Sequence, residues 1–355
     1  QRRTFRAVVR NLSGSAATSV VLDLIQGKGS SATYDIAVGP RDGETFNATA
    51  WQTSQAVVPA APDAPYAPGY VRHEILLSTP LANDSQLVLS IRPPDRDVVT
   101  TSSLSANSWP TIPFADGTAI SNADIAVDAA WPGGTGNVFA GITGVSFLGL
   151  SAPCINIGHI GDSVGSGVPP LADDFALSRG FWTAYGNVAE ASNGRRFHWN
   201  TIANGTYTVD QYLERVSHLI TTTWIDTIDV VSLQMWTHNQ APGDVAAAQA
   251  QWAQFEAVAD AIRAAGRGVI YTLLTPPSYA HQTADEIAAW QWIKAQISTL
   301  PHVYLDDVVA DGSGTAFNAA KSADLVHVDT SAQIEQGNAL PARTVTALQA
   351  LGYSV

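Results

Sequence analysis

The apolar positions along this chain follow two different periods. Up to about residue 150 the apolar runs are short, rich in β-branched residues, and alternate every second position. Thr18–Leu24, Ser85–Ile91 and Val138–Leu150 have this character, and turn signals such as Gly39-Pro40 and Arg92-Pro93-Pro94 break up the sequence between them. No stretch there sustains a 3.6-residue apolar period. The architecture this pattern predicts is an antiparallel β-sandwich. The segment from Pro93 to about Gly134 is polar and turn-rich, and reads as loops of that unit or as a linker.

From about residue 151, strand-like runs alternate with helical ones. Cys154–Ile160, Arg196–Ile202, Ile228–Met235, Gly268–Leu274 and His302–Leu305 read as strands. Trp252, Phe255, Val258 and Ile262 share one helical face in a stretch that ends at Gly266, a natural C-cap. Thr283-Ala284-Asp285-Glu286 is a capping box opening a second helix, which buries Ile287, Trp290, Ile293 and Ile297. Strands and helices alternating at these spacings predict a parallel sheet covered on both faces. The expected division is therefore 1–150 and 151–355, and a length of 355 residues agrees with more than one core.

Composition narrows the function classes. An apolar content of 46% with 10 Trp is ample for packed interiors and argues against disorder. A net charge of −13 argues against nucleic acid and anionic membrane surfaces as partners. No apolar run reaches the roughly 18–20 residues that span a bilayer. The single cysteine, Cys154, has no partner for an intramolecular disulfide, and no Cys/His spacing fits zinc, so no metal or cofactor is expected. The chain begins at Gln1 rather than methionine. We read this as removal of an upstream segment, with a signal peptide as one candidate, and expect a secreted or periplasmic protein.

Candidate chemistry sits at both ends of the second half. Ile155–Ile160 leads into Gly161-Asp162-Ser163 and a glycine-rich turn, where a serine hydroxyl at a strand end is presented as a nucleophile must be. About 160 residues later, Asp324-Leu325-Val326-His327 offers a histidine base with a carboxylate three residues before it. Gly-Asp-Ser alone is weak, arising by chance on the order of once in ten chains of this length. Order and placement carry more: the serine follows the first strand and the histidine precedes the last helix.

With these blocks the second half resembles the SGNH hydrolases, also called GDSL-type esterases. Asn200-Thr201-Ile202-Ala203-Asn204-Gly205 matches that family's second block, and Asn239 would stand for its third. The third block departs from the usual Gly-x-Asn-Asp, reading Thr237-His238-Asn239-Gln240, and Val328 replaces a common proline. The resemblance covers about residues 153–355. It implies a flavodoxin-like parallel sheet with helices on both faces and a Ser163–His327–Asp324 triad. It also implies an oxyanion hole from the backbone of Ser163 and Gly205 and the side chain of Asn239. The activity implied is ester hydrolysis, with an acetylated saccharide as the expected substrate. The alternatives are a lipid, aryl or thioester hydrolase on the same triad, or a non-catalytic adhesion or virion-surface protein that kept the fold.

Each residue also has a plainer reading. Ser163 could be a turn serine, His327 a buried structural histidine, Gly205 a turn glycine and Asn239 a loop cap. Asp162 is expected to support its turn rather than to act as an acid. His159 and His238 are left outside the catalytic set. Trp236 reads equally as a pocket wall or as core. The aromatics of the first half (Trp51, Tyr66, Tyr70, Trp109, Trp131) read as core before they read as a sugar platform.

Overall fold

The computed structural model describes residues 5–10, 16–26, 31–40, 52–59, 69–82, 85–92, 142–149, 155–165, 182–183, 186, 189–190, 193–194, 196–201, 203 and 207–355. The first half contributes strands β1 (Phe5–Arg10), β2 (Ala17–Gln26), β3 (Ala32–Pro40), β4 (Gln52–Val58), β5 (Gly69–Leu81), β6 (Gln86–Arg92) and β7 (Ile142–Gly149). They pair antiparallel in two sheets, of order β1-β6-β3-β4 and β5-β2-β7. Alternation does the sorting: on β3, Tyr34, Ile36 and Val38 are buried while Thr33, Asp35 and Ala37 stay partly exposed. Between β4 and β5, Gln52 Nε2 donates to the Leu76 carbonyl (2.8 Å) and Ser54 Oγ lies 2.7 Å from His73 Nε2. These side-chain bonds link one sheet to the other.

The second half is a five-stranded parallel sheet of β8 (Ile155–Ile160), β9 (Phe197–Thr201), β10 (Val230–Gln234), β11 (Gly268–Leu273) and β12 (His302–Tyr304). Its order is β12-β11-β10-β8-β9. Counted from its own first strand this is 2-1-3-4-5, the flavodoxin-like arrangement. Every residue of β10 is buried, as a strand covered on both faces requires. On one face Val231, Leu233, Val269 and Tyr271 pack with the helices α1 (Val209–Leu219), α2 (Val245–Ala264) and α3 (Ala284–Ile297). On the other, Val230, Ile270 and Val303 pack with α5 (Thr330–Ala350), which follows the short α4 (Asp306–Val309).

The helix signals act where the sequence places them. Thr283 and Glu286 exchange both capping-box bonds at the start of α3, and Gly266 takes the left-handed φ of +77° just past α2. No helix among the described residues is long and apolar enough to cross a membrane. Tyr70, on β5, is buried in the same apolar cluster as Ile160, Tyr207 and Trp224. The antiparallel half thus contributes a side chain to the interior of the α/β half. This tyrosine is core, and the other aromatics considered as a sugar platform lie outside the described residues.

In a sheet of this order the chain leaves β8 toward β9 and then crosses back to β10. The crevice between the carboxyl ends of β8 and β10 is where such sheets bind ligands. The turn carrying Ser163 follows β8, and Thr237–Gln240 follows β10. The topology alone brings these segments together.

Candidate active site

The turn after β8 is built around a buried carboxylate. Asp162 is fully buried and accepts from the N–H groups of Val164 (2.9 Å) and Gly165 (3.3 Å). Gln234 Nε2, at the end of β10, donates to it at 2.8 Å, and the Thr237 hydroxyl donates to its other oxygen. Burial raises the Asp162 pKa above the ordinary carboxylate value, and these donors oppose that rise. Asp162 therefore supports its turn, as expected, and locks it to the loop that follows β10. The glycines on either side are steric necessities. A Cβ on Gly161 would stand 2.1 Å from Gln234 Oε1, and one on Gly165 2.5 Å from the same atom.

Ser163 crowns this turn, partly exposed, with Oγ 3.0 Å from His327 Nε2. His327 Nδ1 is in turn 2.8 Å from Asp324 Oδ2. A carboxylate only accepts, so Nδ1 carries the hydrogen of a neutral His327 and Nε2 faces the serine as an acceptor. The other oxygen of Asp324 accepts from the N–H groups of Val326 (2.9 Å) and His327 (2.7 Å). Burial pushes the Asp324 pKa up, but the bonds from the His327 ring and these backbone donors outweigh it and hold it below the ordinary value. Leu325 between them sits at φ +56°, the one non-glycine at positive φ among the described residues. That conformation costs on the order of 1 kcal/mol and lets the Asp324 carboxylate meet both the loop backbone and the ring.

The segment after β10 departs from the expected block in a way the structure explains. Thr237 stands where the related pattern has glycine. Its hydroxyl donates to Asp162 and accepts from the N–H of Asn239 (3.2 Å). Gln240 stands where that pattern has aspartate, and it caps α1 by accepting from the Asp210 N–H at 3.1 Å. Asn239 is exposed at the crevice, with Nδ2 donating to the Tyr207 carbonyl at 2.9 Å. One amide hydrogen is thus tethered, and the group has a second. Gly205 lies outside the described residues.

The neighbouring histidines differ in setting. His159 is enclosed, with Nδ1 3.0 Å from Ser232 Oγ and its ring edge-on to Trp182 at 5.0 Å. Burial pushes its pKa down to about 3. His238 is partly exposed, with Nε2 3.3 Å from Thr275 Oγ1 and its ring near Phe317. Its pKa is pushed down to about 3, first by burial, then by the nearby His281 and His327, against a smaller opposite effect of Asp324. Trp236 is buried in the core cluster rather than in a pocket wall.

Several residues of this neighbourhood carry no motif in the sequence. Gln234 is detectable only as a polar residue in an otherwise apolar central strand. Thr237 shows in the sequence only as a replacement of the pattern's glycine, and Thr275 and His281 give no signal; His281 Nε2 donates to the His238 carbonyl (3.1 Å) while Nδ1 pairs with Glu286 (2.9 Å).

A 2-1-3-4-5 parallel sheet with helices on both faces, carrying a serine turn after its first strand, is the flavodoxin-like arrangement that the SGNH resemblance implies. No protein-family model and no curated protein matches the sequence. Solved structures similar to the chain include an acylhydrolase from Bacteroides fragilis at 16% identity, covering 55% of this chain and 91% of that one with a TM-score of 0.38. A GDSL-like lipase from Bacteroides thetaiotaomicron is 17% identical over 53% of this chain and 87% of its own, with a TM-score of 0.36. A Geobacillus acetyl-xylooligosaccharide esterase mutant is 15% identical over 56% and 95%, with a TM-score of 0.39.

Proposed function

We propose that the protein is a serine esterase, with Ser163 as nucleophile, His327 as general base and acid, and Asp324 as the group that orients and stabilises the imidazolium. The observation that carries this reading is the unbroken hydrogen-bond chain from Ser163 Oγ through His327 to Asp324, at the switch point of the sheet. Ser163 Oγ attacks the acyl carbonyl while Nε2 takes its proton. That proton then goes to the leaving alcohol oxygen, and water reverses the sequence to release the acid. The charged Asp324 favours the transient imidazolium, and a neutral His238 adds no positive charge to oppose it. The tetrahedral oxyanion would be held by the Ser163 N–H, the Gly205 N–H and the Asn239 amide.

The substrate we propose is an acetylated saccharide. The support is the SGNH resemblance, since β-sandwich modules appended to enzymes of that family often accompany polysaccharide deacetylation. In this reading residues 1–150 form a sandwich that helps recognise the carbohydrate, 151–355 perform the chemistry, and the protein works outside the cytoplasm. A panel of p-nitrophenyl esters of increasing chain length, beside acetylated oligosaccharides and with Ser163→Ala as control, tests it. Turnover of the acetylated sugars that Ser163→Ala abolishes is the expected result. Preference for long acyl chains overturns the saccharide reading. Absence of turnover on every ester overturns the esterase reading in favour of a binding protein.

A further inference from the structure

Tyr279 is a large side chain that the core does not use: it is 65% exposed. A single exposed aromatic is ordinary on a protein surface. What sets this one apart is the loop that carries it. Residues 275–282 run between the segment after β10 and the segment carrying the histidine, and are tied to both. The Tyr279 N–H donates to the carbonyl of Leu325, between Asp324 and His327 (3.4 Å). Two residues on, His281 Nε2 donates to the His238 carbonyl, and Thr275 meets the His238 ring. Gln282 Nε2 donates to the carbonyls of Pro277 (2.7 Å) and Ser278 (3.2 Å), which closes the loop on itself. Pro276 and Pro277 remove further backbone freedom. A loop bonded this tightly holds its backbone at Tyr279 in place beside the histidine segment, so little backbone entropy is lost when a ligand meets the exposed ring.

The side of the crevice follows from the chemistry. His327 must return its proton to the alcohol oxygen, so the alcohol part of the ester lies on the histidine side of the serine. Tyr279 is fastened to the histidine segment and therefore flanks the alcohol rather than the acyl group. We propose that Tyr279 is the stacking platform for the leaving alcohol, and that it selects a saccharide ring, whose C–H face packs on an aromatic plane. This deepens the esterase reading and rests on it.

The experiment compares wild type, Tyr279→Ala and Tyr279→Phe on three acetates: a monoacetylated methyl glycoside, p-nitrophenyl acetate and ethyl acetate, which has no ring. Tyr279→Ala is expected to raise KM for the glycoside about tenfold, equivalent to roughly 1.4 kcal/mol of lost contact, with kcat within about twofold. Ethyl acetate should be unaffected within about twofold, and Tyr279→Phe should restore the glycoside KM. Equal losses on all three esters, or none on the glycoside, would overturn the platform while leaving the esterase intact. A loss confined to p-nitrophenyl acetate would overturn the saccharide assignment. Wild type that hydrolyses none of the three, or activity that survives Ser163→Ala, would remove the esterase reading and this proposal with it.

Discussion

Replacing Asp324 by asparagine should separate two jobs that one carboxylate performs. Oδ1 holds the loop by accepting from Val326 N–H and His327 N–H, whereas Oδ2 takes the hydrogen of His327 Nδ1. In Asp324→Asn the amide oxygen keeps the first job, so the loop survives at a cost of about 1 kcal/mol for exchanging charged for neutral acceptance. The amide nitrogen then faces Nδ1 and can only donate to it. His327 is forced into the tautomer with its hydrogen on Nε2, pointing at Ser163, where it cannot accept the serine proton. The expected loss in kcat is about 10⁴-fold, or roughly 5.5 kcal/mol. Asp324→Ala leaves the loop donors without their acceptor and should cost about 1–3 kcal/mol of stability. It does not impose the wrong tautomer, so its activity should be no lower than that of Asp324→Asn. Stability and activity should therefore rank the two variants in opposite or at least unequal order. Urea unfolding and initial rates on an acetate ester measure both. An Asp324→Asn enzyme within about tenfold of wild type would refute the assignment of Asp324.

Asn239→Ala should lower kcat by about a hundred- to a thousandfold with little change in KM, since its free amide hydrogen would act mainly as charge develops. His238→Ala should be milder. A near-normal Asn239→Ala enzyme beside a crippled His238→Ala enzyme would reassign the donor. For His159, whose pKa falls from 6.5 to about 3 on folding, the unfolded chain protonates first as pH drops. Its contribution to stability is therefore complete above about pH 6.5 and is lost toward pH 3, at up to about 1.4 kcal/mol per pH unit. Between pH 7 and 5, His159→Gln should lose about 2 kcal/mol less unfolding free energy than wild type, as read by urea titrations. Identical losses would contradict the burial of a neutral ring.

What could be read from the sequence divides along a physical line. Local signals were legible: the capping box at Thr283, the Gly266 stop, and the apolar runs that became β8, β10, β11 and β12. Ser163, His327 and Asp324 could be singled out as candidates because each lies at a strand end or in a short motif whose geometry is nearly self-contained. The contacts that hold them are long-range and leave no local trace. Gln234 meets Asp162 across 72 positions of sequence, and Thr237 meets it across 75. Thr237 and Gln240 look like departures from a pattern, yet Thr237 makes a side-chain bond that a glycine lacks, and Gln240 Nε2 donates to the Asp210 carboxylate (2.8 Å), which an aspartate cannot do. Tyr70 was one aromatic among several in an all-β stretch, and only the packed structure places it in the interior of the other half.

The crowding around Gln234 also bears on how this chain can change over generations. Its side-chain oxygen occupies the space that any larger residue at 161 or 165 would need, and its nitrogen anchors Asp162 beneath the serine. Altering either glycine first meets a collision, and altering the glutamine first leaves a buried carboxylate short of a donor. Neither single step is neutral, so effects at these positions are not additive. Lineages descended from such a chain are expected to keep all three residues or to exchange them together. The Gly-Asp-Ser-x-Gly turn and a strand 70 residues away form one heritable unit, in which the order of change decides whether a path is open.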